Sequence, residues 1–200
     1  MSEKANDNPN RNANASVGRL ELIIGCMFSG KSTELIQRIR KYKLINRSYL
    51  AVTHQSDVRY DTNSIVSHDL LRESALPLSR LCQLTDDESS YKEQYLNAQV
   101  IVIEEGQFFV DLFDFVLLAV ERDGKTVVIS ALDGDYLRKP FENVMRLIPL
   151  ADTVDRRTAL CSGCSDGTVA MFSQRTVESQ GERELVGGAE AYRPVCRRCY

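Results

Sequence analysis

The sequence predicts an α/β protein built on a parallel sheet, with a small metal-anchored module at its C-terminal end. Three observations carry that expectation. Short runs rich in Leu, Ile and Val recur along the chain with helical stretches between them. One such run ends in a loop of glycines and a lysine, and another ends in two glutamates. Beyond about residue 158 helical periodicity fades, and cysteine, glycine and arginine become frequent. Continuous apolar strands alternating with helices imply a sheet buried on both faces.

The elements follow in order. Residues 1–17 hold Asn6, Asn8, Asn10, Asn12 and Asn14 and almost nothing apolar, the composition of a disordered tail rather than of a secretory signal. Leu20–Ile24 reads as the first strand. The stretch from Ser32 to Ile45 reads as a helix, with Leu35, Ile36, Ile39 and Tyr42 on one face. Ser48–Val52 is a second strand, and Ser74–Leu84 is ambiguous. Asp86–Ala98 is polar and helical in pattern. Val100–Ile103 is a short strand rich in β-branched residues, Leu112–Gly124 a helix, and Thr126–Leu132 another strand. The expected division is a tail over 1–17, an α/β nucleotide-binding domain over 18–158 and a zinc-binding module over 159–200.

A chain of 200 residues with 43% hydrophobic residues can bury a core in one domain plus a small module. Its formal net charge of -3 gives no electrostatic reason to expect nucleic acid or an anionic membrane as partner. No apolar run approaches the roughly 20 residues of a membrane span. Of six cysteines, four stand in two C-x-x-C pairs. That spacing argues for metal in a reducing compartment, hence a cytoplasmic protein.

The loop after the first strand reads Gly25-x-x-x-x-Gly30-Lys31-Ser32, with a strand before it and a helix after it. That context is what a phosphate-binding loop requires. Gly25 and Gly30 let the backbone curl so that successive N–H groups, those of Cys26, Met27, Phe28 and Ser29 between them included, point at phosphate oxygens. Lys31 reaches the β- and γ-phosphates, Ser32 ligates Mg²⁺, and the helix N-terminus adds positive potential. The competing reading is a glycine-rich turn with a surface lysine. Glu104 and Glu105 end the buried strand at 100–103. Adjacent carboxylates on a strand end point different ways. One can hold the metal, usually through water, and the other can face a substrate hydroxyl as general base. Alternatively they form a solvated acidic turn. Gln107, Phe108 and Phe109 follow, suited to a flat ligand or to the core.

Cys161, Cys164, Cys196 and Cys199 can offer four thiolates to one tetrahedral Zn²⁺, a structural arrangement because no position is left for water. The alternative is two disulfides. Cys26 and Cys82 read as ordinary packing residues. Residues 165–195 must leave the metal and return to it, and loops of that length usually have a function. Gly187 and Gly188 permit close backbone approach to a ligand, and Tyr192 could close over it.

With these residues in view, the chain resembles the type II thymidine kinase family over roughly residues 19–199. The matching stretches are GCMFSGKSTEL, DVRY, EEGQFF, ALDGDYLRKPF, both cysteine pairs and ELVGGAEAYRPVC. The resemblance implies a RecA-like parallel α/β domain with a zinc-anchored lasso over the nucleoside. It implies Glu105 as the base that deprotonates the nucleoside 5′-hydroxyl. Glu104 stands where the family normally carries aspartate to help hold Mg²⁺. Asp57, Val58 and Arg59 match residues near the sugar and phosphates, with Arg59 and Lys31 steadying the transferring group. Gly106 and Gln107 complete the ATP site. Met27, Phe108, Leu132, Tyr136 and Phe141 match the base pocket. Ser173, Arg183, Glu184, Leu185, Val186 and Gly187 match the lasso's inner face, and Tyr192 the residue that closes it. The implied partners are thymidine and ATP, with dTTP as feedback inhibitor and a homotetramer as assembly. A nucleic-acid-binding ATPase is the competing class, for which Arg193, Arg197 and Arg198 are the best argument. An inactive nucleotide-binding scaffold is a third, opposed by Lys31 and Glu105.

Overall fold

A computed structural model describes residues 17–57, 64–66, 71–177 and 187–200. In chain order the elements are β1 (Arg19–Gly25), α1 (Lys31–Leu44), β2 (Tyr49–His54), β3 (Ser64–Val66), β4 (Arg72–Ser74), β5 (Leu76–Leu78), α2 (Lys92–Asn97) and β6 (Val100–Ile103). They continue with α3 (Leu112–Leu117), β7 (Thr126–Ala131), α4 (Glu142–Met145), β8 (Thr153–Arg157), β9 (Ala159–Leu160), β10 (Val169–Ala170), β11 (Phe172–Arg175) and β12 (Tyr192–Val195). Six strands form one sheet in the order β5-β2-β6-β7-β1-β8. Every pairing within it is parallel. The α/β expectation therefore holds, with the parallel sheet at its centre.

Period-2 alternation divides the strand side chains between two apolar layers. Leu20, Leu22 and Ile24 of β1 join Ile101, Ile103, Val127 and Ile129 under Phe109, Leu112, Phe115 and Val144. Ile23, one residue out of phase, points the other way with Val100, Val102 and Val128, onto Leu35, Ile36 and Ile39 of α1. Burial of both faces explains why these strands read as unbroken apolar runs. Helix α1 ends where Lys41 and Lys43 face its C-terminal dipole and Asn46 turns left-handed at φ 55°.

Two local expectations change. The stretch Asp86–Ala98 is helical only from Lys92, because side chains compete for its backbone donors. Asp86 Oδ1 accepts from Glu88 N at 3.3 Å and Ser89 Oγ from Tyr91 N at 3.1 Å, which favours turns over helix. The expected helix over 112–124 is regular only to Leu117 and widens into a π-turn at Leu118–Arg122. The ambiguous Ser74–Leu84 contains β5 and a 3₁₀ turn, Leu81–Leu84. Asp111 caps that turn, accepting from Leu81 N and Cys82 N at 3.2 and 2.9 Å.

After β8 the chain builds short antiparallel pairs, β9 with β10 and β11 with β12. They pack round a cluster containing Cys26, Cys161, Ala170, Val195 and Cys196. No helix of the described residues is long and apolar enough to cross a membrane.

Candidate active site

β1 delivers the phosphate loop. At Gly25, φ is 145° and an added Cβ would lie 2.1 Å from Arg157 O, so only glycine fits. Gly30, at φ 77°, precedes the first residue of α1. Inside the turn, the Cys26 carbonyl accepts from Ser29 Oγ and from Lys31 Nζ, each at 2.8 Å. Met27 N donates to Ser173 Oγ at 2.9 Å, and Cys26 Sγ to Ala170 O at 3.6 Å. The loop is thereby tied to β10 and β11, and Cys26 packs with the cysteine cluster rather than facing the loop's interior.

β6 ends beside it. Ile103 stands opposite Ile129 in the register, which puts Glu104 next to Ser130. Ser32 Oγ donates to Glu104 Oε1 at 2.5 Å. Ser130 lies close enough to favour the ionised Glu104. Yet Glu104 Oε2 and Ser130 Oγ, both buried, make no hydrogen bond of acceptable geometry among the described residues. Burial first, and the neighbouring Glu105 charge second, push the Glu104 carboxyl up to about 7, against the Ser32 hydrogen bond and Lys31. A buried oxygen without a donor, beside a serine hydroxyl and a lysine, fits a hard cation.

Glu105 turns away from Glu104 because its own backbone is left-handed, at φ 52° and ψ 46°. Few non-glycine residues adopt this conformation, and when they do it is often at functional sites. Gln107 Nε2 donates to Glu105 Oε2 at 2.5 Å, while Gln107 Oε1 accepts from Leu132 N at 3.0 Å. Asn143 Nδ2 donates to Phe109 O at 2.8 Å and Gln107 O at 3.3 Å, pinning the turn from α4.

Beyond this turn Met27, Ala191 and Tyr192 form an apolar cluster with Phe28, Leu132 and Tyr136 packed against it. Arg175 stacks 3.9 Å over the Tyr136 ring and donates from Nη2 to Tyr192 Oη at 2.9 Å. Tyr200 Oη donates to Tyr136 O at 2.7 Å. Phe108 faces His54 with ring centroids 5.8 Å apart. Phe109 is fully buried, and Phe141 belongs to the main core rather than to this cluster. Gly187 is buried and begins a turn in which Gly188 O accepts from Ala191 N and Tyr192 N. Asp57 is half-buried, its N–H donated to His54 O at 2.9 Å. Val58, Arg59, Arg183, Glu184, Leu185 and Val186 lie outside the described residues.

The ligand atoms of Cys161, Cys164, Cys196 and Cys199 all lie within 4.8 Å of one another. Cys164 Sγ is 3.6 Å from Cys196 Sγ and 3.4 Å from Cys199 Sγ. A tetrahedral zinc with 2.3 Å bonds separates its sulfurs by about 3.8 Å, so the quartet could hold a metal such as zinc. All four thiols are free of disulfides. Cys161 Sγ accepts from Cys196 N at 3.2 Å, and Arg198 Nη2 donates to Cys164 Sγ at 3.2 Å. The Arg198 hydrogen bond holds Cys164 below the usual thiol range, which favours the ligating thiolate.

Sequence reasoning missed Ser130, Arg157 and Arg175. For Ser130 a signal existed, a hydroxyl interrupting the apolar run VVISAL at the level of Glu104. The two arginines act through contacts that no local pattern records.

A parallel sheet with a phosphate loop ending β1 and paired carboxylates ending β6, one strand removed across β7, defines a phosphate-loop nucleotide-binding protein. Within that class the match is specific. The thymidine kinase family model matches residues 18–200. The chain is 40% identical over 183 residues to the thymidine kinase of vaccinia virus (strain Western Reserve), covering 92% of this chain and 97% of the viral one. The monkeypox virus thymidine kinase matches at the same identity and coverage. Thymidine kinase 1 of Dictyostelium discoideum is 42% identical over 187 residues, 92% of this chain and 78% of its own length. The chain belongs to the thymidine kinase family.

Proposed function

We propose that this protein transfers the γ-phosphoryl group of ATP to the 5′-hydroxyl of thymidine, and of deoxyuridine, giving the 5′-monophosphate for nucleotide salvage. One observation carries the reading. Glu105 is linked through Gln107 to Leu132 N, so a single hydrogen-bonded chain joins the carboxylate to the wall of the apolar cluster. A base seated against Met27, Leu132, Tyr136 and Tyr192 would present its sugar toward Glu105. Glu105 accepts the 5′-hydroxyl proton as that oxygen attacks the γ-phosphorus. The backbone N–H groups of residues 25–30 and the Lys31 ammonium hold the phosphates, and ADP leaves. Ser32 and Glu104 would hold Mg²⁺, which would supply neutralising charge to the phosphates. By the family resemblance, Arg59 and Asp57 serve the phosphates and the sugar, and residues 183–187 the lasso face.

The cysteine quartet binds structural zinc in this reading. Feedback inhibition by dTTP and a homotetramer are what the family resemblance implies, and the cytoplasmic location rests on the two C-x-x-C pairs. A nucleic-acid role is less well supported, because the arginines that suggested it are engaged within the module. Arg193 donates to Gln174 Oε1 at 2.7 Å, Arg197 stacks 5.2 Å from the Phe172 ring, and Arg198 binds Cys164.

Backbone groups of the lasso have fixed polarity and cannot reorient as an amide side chain can. Cytosine would set donor against donor and acceptor against acceptor at two positions, each mismatch costing about 1–3 kcal/mol. A deoxynucleoside panel tests this. The expected kcat/KM falls about a thousandfold from thymidine to deoxycytidine. Comparable values for the two would overturn the proposed specificity.

A further inference from the structure

Arg157 is the last residue of β8, on the sheet's outer edge, and both ends of the phosphate loop meet it. Its backbone pairs with Gly25, and its carbonyl oxygen occupies the space a Gly25 side chain would need. Its side chain reaches the other glycine. Among the described residues, apart from its chain neighbours and the backbone of α1, the guanidinium is the only group within 4 Å of a Cβ built on Gly30, at 3.9 Å from Nη2 and 4.0 Å from Nε. Nε donates to Ser29 O at 3.3 Å. Nη1 donates to Glu34 Oε2 at 3.4 Å, in the first turn of α1, and to Asp155 Oδ2 at 3.3 Å.

These contacts have a directional consequence. Ser29 and Gly30 share one planar trans peptide, in which the carbonyl and the following N–H point in opposite directions. Holding Ser29 O toward β8 and α1 turns the Gly30 N–H to the other side, into the loop. The charge of Arg157 is already matched. Glu34 and Asp155 bind it, and both also bind Arg38, whose Nη1 meets Glu21 at 2.9 Å. The guanidinium therefore acts through the bonds it makes rather than as a spare cation for phosphate.

We propose that Arg157 is a positioning residue for the phosphate donor. It fixes the Ser29–Gly30 peptide so that the Gly30 N–H faces the ATP phosphates, and it leaves the nucleoside side of the site untouched. The proposal rests on the reading of residues 25–32 as the ATP loop. Arg157→Met removes both anchors, and Arg157→Lys keeps the charge but not the fork that spans Ser29 and Glu34.

The test pairs calorimetric binding of MgATP with steady-state kinetics in each substrate. Arg157→Met should weaken MgATP binding and raise KM for ATP by about tenfold, the loss of roughly one well-made hydrogen bond. KM for thymidine at saturating ATP should stay within about twofold, and Arg157→Lys should restore little of the loss. If Arg157→Met does not fold, Glu34→Gln serves, which frees one arm of the guanidinium and should weaken ATP binding by a few-fold. Unchanged ATP affinity, equal rises in both KM values, or full rescue by lysine would overturn the proposal alone. Wild-type protein that binds no ATP would overturn the loop reading with it, whereas wild-type that binds ATP but spares thymidine would overturn only the proposed substrate.

Discussion

Glu105 holds a backbone conformation that few side chains tolerate, and its neighbours explain why it stays there. Gly106 packs so closely that an added Cβ would lie 2.8 Å from Ile129 Cγ2, and Asn143 ties the next residues to α4. The left-handed corner separates two adjacent carboxylates into one beside Ser32 and one beside Gln107. Gly25 shows the same economy of space. Gly25→Ala combines a disfavoured φ with a 2.1 Å clash against Arg157 O, and should cost about 3 kcal/mol or more. Thermal melting would show it as a drop of several degrees with loss of ATP binding. An unchanged melting temperature would mean the loop can re-form around a side chain. Further from the site, Tyr95 Oη donates to Asp123 Oδ2 at 2.6 Å. Asp123 is held below its ordinary value by the Arg122 hydrogen bond first and by Tyr95 after it. A depressed carboxylate contributes stability above its unfolded pKa and loses it as pH falls through the folded one. Tyr95→Phe should therefore lower the melting temperature at pH 7, and the gap from wild type should shrink near pH 3. A gap independent of pH would assign the effect to packing alone.

At the level of elements, the strands that were legible are those buried on both faces. β1, β2, β6 and β7 announce themselves as apolar runs, and the two loops of the candidate site directly follow β1 and β6. β8 was not legible, because Thr153–Arg157 is a half-exposed edge strand whose sequence TVDRR carries no apolar pattern. β10 and β11 were hidden for another reason: strands of two and four residues carry too little pattern and are defined by their partners, Ala159–Leu160 for β10 and the more distant Tyr192–Val195 for β11. The phosphate loop, the glutamate pair and the cysteine quartet were readable because each is a local spacing. The links between them were not, since Met27–Ser173 and Arg157–Ser29 join residues 146 and 128 positions apart. The first of these links makes a prediction for β11. Ser173→Ala leaves the buried Met27 N–H without its acceptor, a loss of about 1–3 kcal/mol. Because Met27 lines the apolar cluster, KM for thymidine should rise several-fold with kcat little changed. A fall in kcat at constant KM would place Ser173 in the chemical step instead.

Across the whole molecule, specific contacts tie the cysteine module to the α/β sheet. Cys26 and Met27 bond to Ala170 and Ser173, and Tyr200 reaches Tyr136. Metal at the quartet would hold both ends of the chain segment that makes them. Metal analysis of protein purified without chelator should give one zinc per chain. Stripping it should raise hydrogen exchange in β9–β12 and at Met27 while β1, β6 and β7 stay protected. Loss of protection in the central sheet first would mean the metal supports the core and not the module. The central claim is that ATP held by the phosphate loop gives its γ-phosphoryl group to thymidine with Glu105 as the base. It is tested most directly by following labelled γ-phosphate from ATP into thymidine 5′-monophosphate, with wild type and Glu105→Gln side by side. The account predicts transfer by wild type only when thymidine is present. The variant should bind ATP as tightly and transfer about 10²–10⁴-fold more slowly. Transfer by Glu105→Gln within a few-fold of wild type, or ATP consumption by wild type that is indifferent to thymidine, would contradict it.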